Sequence, residues 1–183
     1  LPVLERKQIG RRLLSVSREA LRRIFYLSYS FRMTEESKYV KRAAEELMSV
    51  CSFSDWNQSH FLDVGEMTMA VAIGYDWLSH TFSPDLKNLV KNALISKGLS
   101  PSFHPKDSWF LTATNNWNQV CNAGMTFGAL AVYEDVPDLS FHIIERAIES
   151  IRIPMKDYAP DGAYPEGYGY WDYGTSFNVL FLS

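Results

Sequence analysis

Helical periodicity returns along this chain at a regular interval, and that interval leaves few architectures open to it. Apolar residues recur at steps of three and four in seven segments, the pattern of amphipathic helices. Ile9, Leu13, Val16, Ala20 and Ile24 predict a first helix over about 5–31. Thr34 is placed to cap a second, with Glu35 and Glu36 in its first turn and a stripe of Val40, Ala44, Leu47, Met48 and Cys51. Val64, Met67, Val71, Tyr75 and Leu78 mark a third. Ser83-Pro84 supplies the N-cap and N1 proline of a fourth, which carries Leu86, Leu89, Val90, Ala93 and Leu94 and ends near Gly98. Val120, Gly124, Phe127, Gly128 and Ala131 mark a fifth. A sixth runs through Leu139, Ile143, Ile144, Ala147, Ile148 and Ile151 until Pro154 stops it. A seventh begins near Asp172, and no segment reads as a strand.

Odd-numbered helices therefore start near 5, 62, 115 and 172, at spacings of 57, 53 and 57 residues. Even-numbered ones start near 35, 84 and 139, each after a short link. The reading is an all-α fold of repeated αα-hairpins about 55 residues long. Such hairpins bury both faces only by stacking, as a solenoid or a closed ring. Three hairpins and the start of a fourth fill residues 1–183.

Composition narrows the function. With 46% hydrophobic residues, five Trp, ten Tyr and eleven Phe, the chain is neither disordered nor a linker. A net charge of −3 implies no nucleic-acid partner. Residues 1–50 nevertheless hold 11 Lys/Arg against 6 Asp/Glu, read here as a solvated helix face. No apolar run is long enough to span a membrane, and no stretch of residues 1–183 reads as a signal peptide. Cys51 and Cys121 show no metal-ligand spacing and are expected as buried free thiols. No cofactor or metal is expected.

Links from even to odd helices, 53–61, 99–114 and 157–171, are long and lie at one end of a hairpin stack. They bring Trp56, Asn57, His60, Trp109, Asn115, Asn116, Trp117, Tyr168 and Tyr170 to a common rim. Flat aromatics among amides and hydroxyls suit a sugar, which has apolar faces and hydrogen-bonding edges. Two segments stand out: Asn115-Asn116-Trp117-Asn118-Gln119-Val120-Cys121-Asn122-Ala123-Gly124-Met125, and Asp161 to Gly174 with its Pro165-Glu166-Gly167-Tyr168-Gly169-Tyr170 core. Asn116 and Tyr170 lie 54 residues apart, about one repeat.

These segments, together with Trp56–Met67 and Ala72–Leu78, resemble the heparinase II/III-like polysaccharide lyases over roughly residues 30–183. The resemblance implies an α/α toroid that precedes a β-sandwich domain, and β-elimination at a uronic acid of an acidic polysaccharide. It implies export to the periplasm or cell exterior. Asn116, with Asn115 beside it, would neutralise the uronate carboxylate, and Tyr170 would protonate the leaving oxygen and in syn elimination also act as base. A free phenol titrates near pH 10, so a tyrosine base needs a nearby cation or strong hydrogen bonds. Asn115, Trp117, Asn118, Gln119, Trp56, His60, Glu166, Tyr168 and Tyr173 are the expected substrate contacts.

Each residue also has a purely architectural reading. Asn115 or Asn116 would serve as the N-cap of the fifth helix, Tyr170 would pack on Trp171, and Glu166 would orient a loop amide. A lone loop histidine such as His60 is usually a surface group. No motif loop contains Arg, and Lys106 is the one cation expected nearby. A six-hairpin ring needs about 330 residues. A partial toroid, insufficient alone for catalysis and open to self-association along an apolar edge, is therefore expected. Rim carboxylates Asp63, Glu66, Asp161, Glu166 and Asp172 keep a toroid glycoside hydrolase as the alternative, and a non-catalytic glycan-binding repeat as another.

Overall fold

The computed structural model describes residues 1–183 and is 73% helix with no strands. Seven of its helices have ten residues or more: α1 (Leu14–Thr34), α2 (Ser37–Cys51), α3 (Phe61–Leu78), α4 (Pro84–Ala93), α5 (Asn116–Ala131), α6 (Pro137–Ser150) and α8 (Tyr168–Leu182). A four-residue turn, α7 (Arg152–Met155), follows α6. No helix is long and apolar enough to cross a membrane.

Packing follows a succession. α1 lies on α3, α3 on α5, and α5 on α8, while α2 contacts α1 and α4, and α6 contacts α5. The two central helices carry the burial: 15 of 18 residues of α3 and 12 of 16 of α5 are buried. A helix apolar on all sides is stable only in the middle of a structure. α3 and α5 cross where glycines remove both side chains, and a Cβ on Gly124 would sit 2.1 Å from the Gly65 carbonyl oxygen. Trp56, Phe61 and Phe110 are the largest fully buried side chains of the core, with the Phe61 and Phe110 rings stacked at 5.0 Å.

Several helix ends differ from the sequence expectation. The first helix begins at Leu14 rather than near 5. Gly10 takes a left-handed φ of 60°, Ile9 and Arg12 close a tight turn, and residues 1–13 form a strap across the α1–α2 pair. Leu4 and Leu13 are the strap's buried anchors, whereas Ile9, counted in the helical stripe, is 68% exposed. Thr34 ends α1 instead of capping α2, because Glu35 turns the chain with a left-handed φ of 58°. The seventh predicted helix starts at Tyr168, four residues early, and Pro154 lies inside α7 after the chain has already broken from α6. Ser83 caps α4 as expected, accepting from the Leu86 amide at 3.3 Å. Cys51 and Cys121 are buried free thiols, and burial pushes the Cys51 thiol up to about 12.

Candidate active site

The beginnings of α1, α3, α5 and α8 meet at a cleft of about 280 Å³. Arg12, Leu14 and Arg18 line it from the strap and α1, His60 and Leu62 from α3, and Asn115, Asn116 and Trp117 from α5. Glu166, Tyr170 and Tyr173 complete it from α8 and the loop before it. A groove of about 890 Å³ beside α6 and an apolar hollow of about 540 Å³ among Leu21, Phe25, Ile73, Trp77 and Phe127 are larger. Only the smaller cleft joins amides, phenols, an imidazole and cations, and it sits at helix N-termini, where partial positive charge collects.

Asn115 is the N-cap of α5, its side-chain oxygen accepting from the Trp117 amide at 3.1 Å. Its amide nitrogen is thereby left for other work. Asn116 is 2% exposed, and both its main-chain N–H and its Nδ2 donate to Glu166 Oε2 at 2.9 Å. A carboxylate only accepts, which fixes the amide's orientation and leaves one Nδ2 hydrogen uncommitted. Glu166 thus orients an amide, and its charge lies favourably at the start of α5.

His60 departs from the surface-histidine expectation. Its side chain is 13% exposed, packs edge-on against Trp117 at 4.8 Å, and places Nδ1 2.7 Å from Asp63 Oδ1. Asp63 is fully buried in the first turn of α3. Its Oδ2 also accepts from the Leu13 main-chain N–H and from Asn57 Nδ2, each at 2.6 Å. Three donors surround this carboxylate, so the imidazole proton belongs on Nδ1, and Nε2 is left with a lone pair. The His60/Asp63 spacing of three residues at a helix start was a readable signal that pairing was available.

Tyr173 and Arg18 share Glu66. The Tyr173 hydroxyl donates to Glu66 Oε1, Arg18 Nε donates to the same oxygen at 3.1 Å, and the guanidinium lies 4.9 Å over the Tyr173 ring. Burial raises Glu66 above the usual carboxylate range, against the lowering effect of Tyr173 and Arg18. Burial also pushes the Tyr173 phenol upward, helped by the Glu66 charge. Tyr170 is 54% exposed and its hydroxyl has no hydrogen-bond partner.

Not every expected contact reaches the cleft. Trp56 is fully buried and its indole donates to the Val50 carbonyl at 2.9 Å, so it belongs to the core rather than the rim. Asn118 is buried against Ser150 and Asn122, tying α5 to α6. Gln119 is buried too, donating to the Tyr158 hydroxyl at 2.7 Å. Tyr168 is 81% exposed and stacks on Trp171 outside the cleft. Conversely Lys106 does not line the cleft, whereas Arg12 and Arg18 do. These two belong to the basic excess of residues 1–50, which in sequence reads as a solvated helix face. No group of three or more His, Cys, Asp or Glu side chains is arranged to hold a metal ion. In comparisons with known proteins, no family model matches this chain and no curated protein matches its sequence.

Proposed function

We propose that this chain is the N-terminal part of a polysaccharide lyase that cleaves a uronic-acid-containing glycan by β-elimination, its helices being αα-hairpins of a partial α/α toroid. The observation that carries the reading is that Asn116 and Tyr170, 54 residues apart, line one cleft with His60. The succession α1–α3–α5–α8, with α2, α4 and α6 packed against it, is the arrangement expected of the inner and outer layers of such a toroid.

Elimination removes the C5 proton of a uronate, breaks the C4–O bond and leaves a C4=C5 double bond from the C5–H electron pair. The carboxylate gains charge as the proton departs and must be met by hydrogen-bond donors. Asn116 and Asn115 supply amide N–H groups for it. The lone pair on His60 Nε2, oriented through Asp63, accepts the C5 proton. Tyr170, which lines the same cleft, gives its hydroxyl proton to the departing O4. Trp117, backed by Trp109 at 4.7 Å, offers a flat apolar wall for a sugar ring.

A hydrolase needs two carboxyl groups facing the scissile bond. Asp63 and Glu66 are buried and bonded to neighbours, and Glu166 is committed to Asn116. This disposition favours the lyase over the hydrolase. The experiment is to incubate the protein with uronate polysaccharides in ¹⁸O-labelled water. Elimination gives unsaturated products absorbing in the near ultraviolet with no label at the cut. Labelled, saturated products would sink the proposal.

A further inference from the structure

The cleft's charge is set by four groups. Glu66 is 2% exposed and neutralised locally by Arg18, and Glu166 holds Asn116. Left to these carboxylates, the cleft would repel an anion. Arg12 and Arg18 offset those two charges, and the two are held quite differently.

Arg18 is fixed through its own side chain: Nε bonds Glu66 and the guanidinium plane rests over Tyr173, yet half of the side chain is exposed. A guanidinium has five N–H donors, so those on its two terminal nitrogens stay available. Arg12 is fixed through the backbone on either side of it. The Arg11 carbonyl accepts from Asn57 Nδ2 at 2.7 Å, and the Leu13 N–H donates to Asp63 at 2.6 Å. The Arg12 side chain between these pins is exposed, lines the cleft and has no acidic partner. A guanidinium held at a cleft without a carboxylate partner is poised for an anionic ligand.

We propose that Arg12 and Arg18 form the anion receptor of this cleft and join the Asn115 and Asn116 amides in holding the planar carboxylate of a uronate residue whose ring lies against Trp117. This rests on the lyase reading for the sugar class but adds the residues that select it. The position of Trp117 between His60 and Trp109 makes its fluorescence a reporter of occupancy.

The test titrates the protein with a uronate oligosaccharide, with the same oligosaccharide after its carboxyl groups are reduced to alcohols, and with a neutral oligosaccharide bearing sulfate esters. The uronate should bind at least tenfold more tightly than its reduced form and more tightly than the sulfated sugar, with an affinity that falls as salt rises. Arg12→Gln and Arg18→Gln should each remove most of that preference, and Arg12→Gln should leave the affinity for the reduced sugar unchanged. Arg12→Gln is the decisive variant, since its side chain takes no part in the fold. Equal affinities for charged and reduced sugars, tighter binding of the sulfated sugar, or a full preference in Arg12→Gln would each overturn the receptor. Uronate preference without elimination would overturn the lyase reading and leave the receptor standing. Elimination with the preference intact in Arg12→Gln would do the reverse.

Discussion

Glu166 Oε2 accepts two hydrogen bonds from Asn116, one from the main chain and one from Nδ2, both 2.9 Å long. This pairing ties the loop before α8 to the first residue of α5 and fixes which way the amide faces. Glu166→Ala should cost about 1–3 kcal/mol in denaturant unfolding, the range for hydrogen bonds to a charged group. Under the lyase reading, turnover should fall about 100-fold as the amide loses its orientation. Glu166→Gln, whose amide oxygen can still accept both bonds but carries no charge, should fall between. Equal turnover in all three proteins would show that Asn116 needs no orienting partner.

Tyr170→Phe separates chemistry from packing. The hydroxyl makes no hydrogen bond and the residue is 54% exposed, so the melting temperature should stay within about 1 °C of the parent. Under the lyase reading, kcat should drop at least about 1000-fold while substrate affinity changes only a few-fold. A large loss of stability would mark the tyrosine as structural.

Gly124→Ala probes the crossing of α3 and α5. The added methyl would lie 2.1 Å from the Gly65 carbonyl oxygen, and backbone cannot swing aside as a side chain can. A loss of about 3 kcal/mol or more is expected, at the upper end for overpacking. Gly169→Ala in α8, where a methyl meets nothing within 4 Å, should be neutral or slightly stabilising. Urea unfolding of the two variants side by side checks the contrast.

Glu46 predicts an acid-sensitive stability. Burial alone would raise its pKa, but Arg23, the Leu4 main-chain N–H and Arg42 outweigh burial and hold it below the ordinary value of 4.5. A lowered folded-state pKa contributes stability above the unfolded value and loses it as pH falls through the folded one. The melting temperature should therefore decline below about pH 4.5. Glu46→Gln should lose about 2–3 kcal/mol at pH 7 and show a shallower decline. Glu19, held down to about 2 chiefly by Arg22 and then Arg23, supplies the slope that remains. Parallel pH curves for variant and parent would assign the acid sensitivity elsewhere.

The all-helical fold was legible because helix starts such as Ser83-Pro84 and Asn115 carry capping chemistry, and because α3 and α5 have long apolar content. The strap was not legible. Ile9 and Leu13 satisfy helical spacing, yet the left-handed turn at Gly10 and the pairing of Leu4 with Glu46 depend on residues over 40 positions away. That error carried Arg12 out of view of the cleft, while Arg18 reads in sequence as part of a solvated helix face. Trp56 failed for a related reason. A loop tryptophan reads as rim, but here its indole finds a carbonyl at Val50 and the ring fills the core. Asn115, Asn116, Trp117, Glu166, Tyr170 and Tyr173 reached the cleft because each lies at or near the start of α5 or α8, a position that helical periodicity does encode.

Asp63→Asn tests the hub on which cleft and strap both depend. The carboxylate faces donors on both oxygens: Leu13 N–H and Asn57 Nδ2 at one, His60 Nδ1 at the other. Asparagine has one acceptor oxygen and an NH₂, so one side must now oppose donor to donor. If the oxygen keeps Leu13 and Asn57, the NH₂ faces His60 and drives the imidazole to the opposite tautomer, with its proton on Nε2. The lone pair proposed to take the C5 proton is then lost. Elimination should slow by about 1000-fold, as when a buried carboxylate orienting a catalytic histidine is neutralised. Nitrogen-15 shifts of the imidazole should report the proton moving from Nδ1 to Nε2. If the oxygen instead keeps His60, Leu13 and Asn57 lose their acceptor, the strap loosens, and amide exchange at Leu13 should rise with uronate affinity falling alongside it. An unchanged tautomer with unchanged strap protection and full turnover would remove Asp63 from both roles.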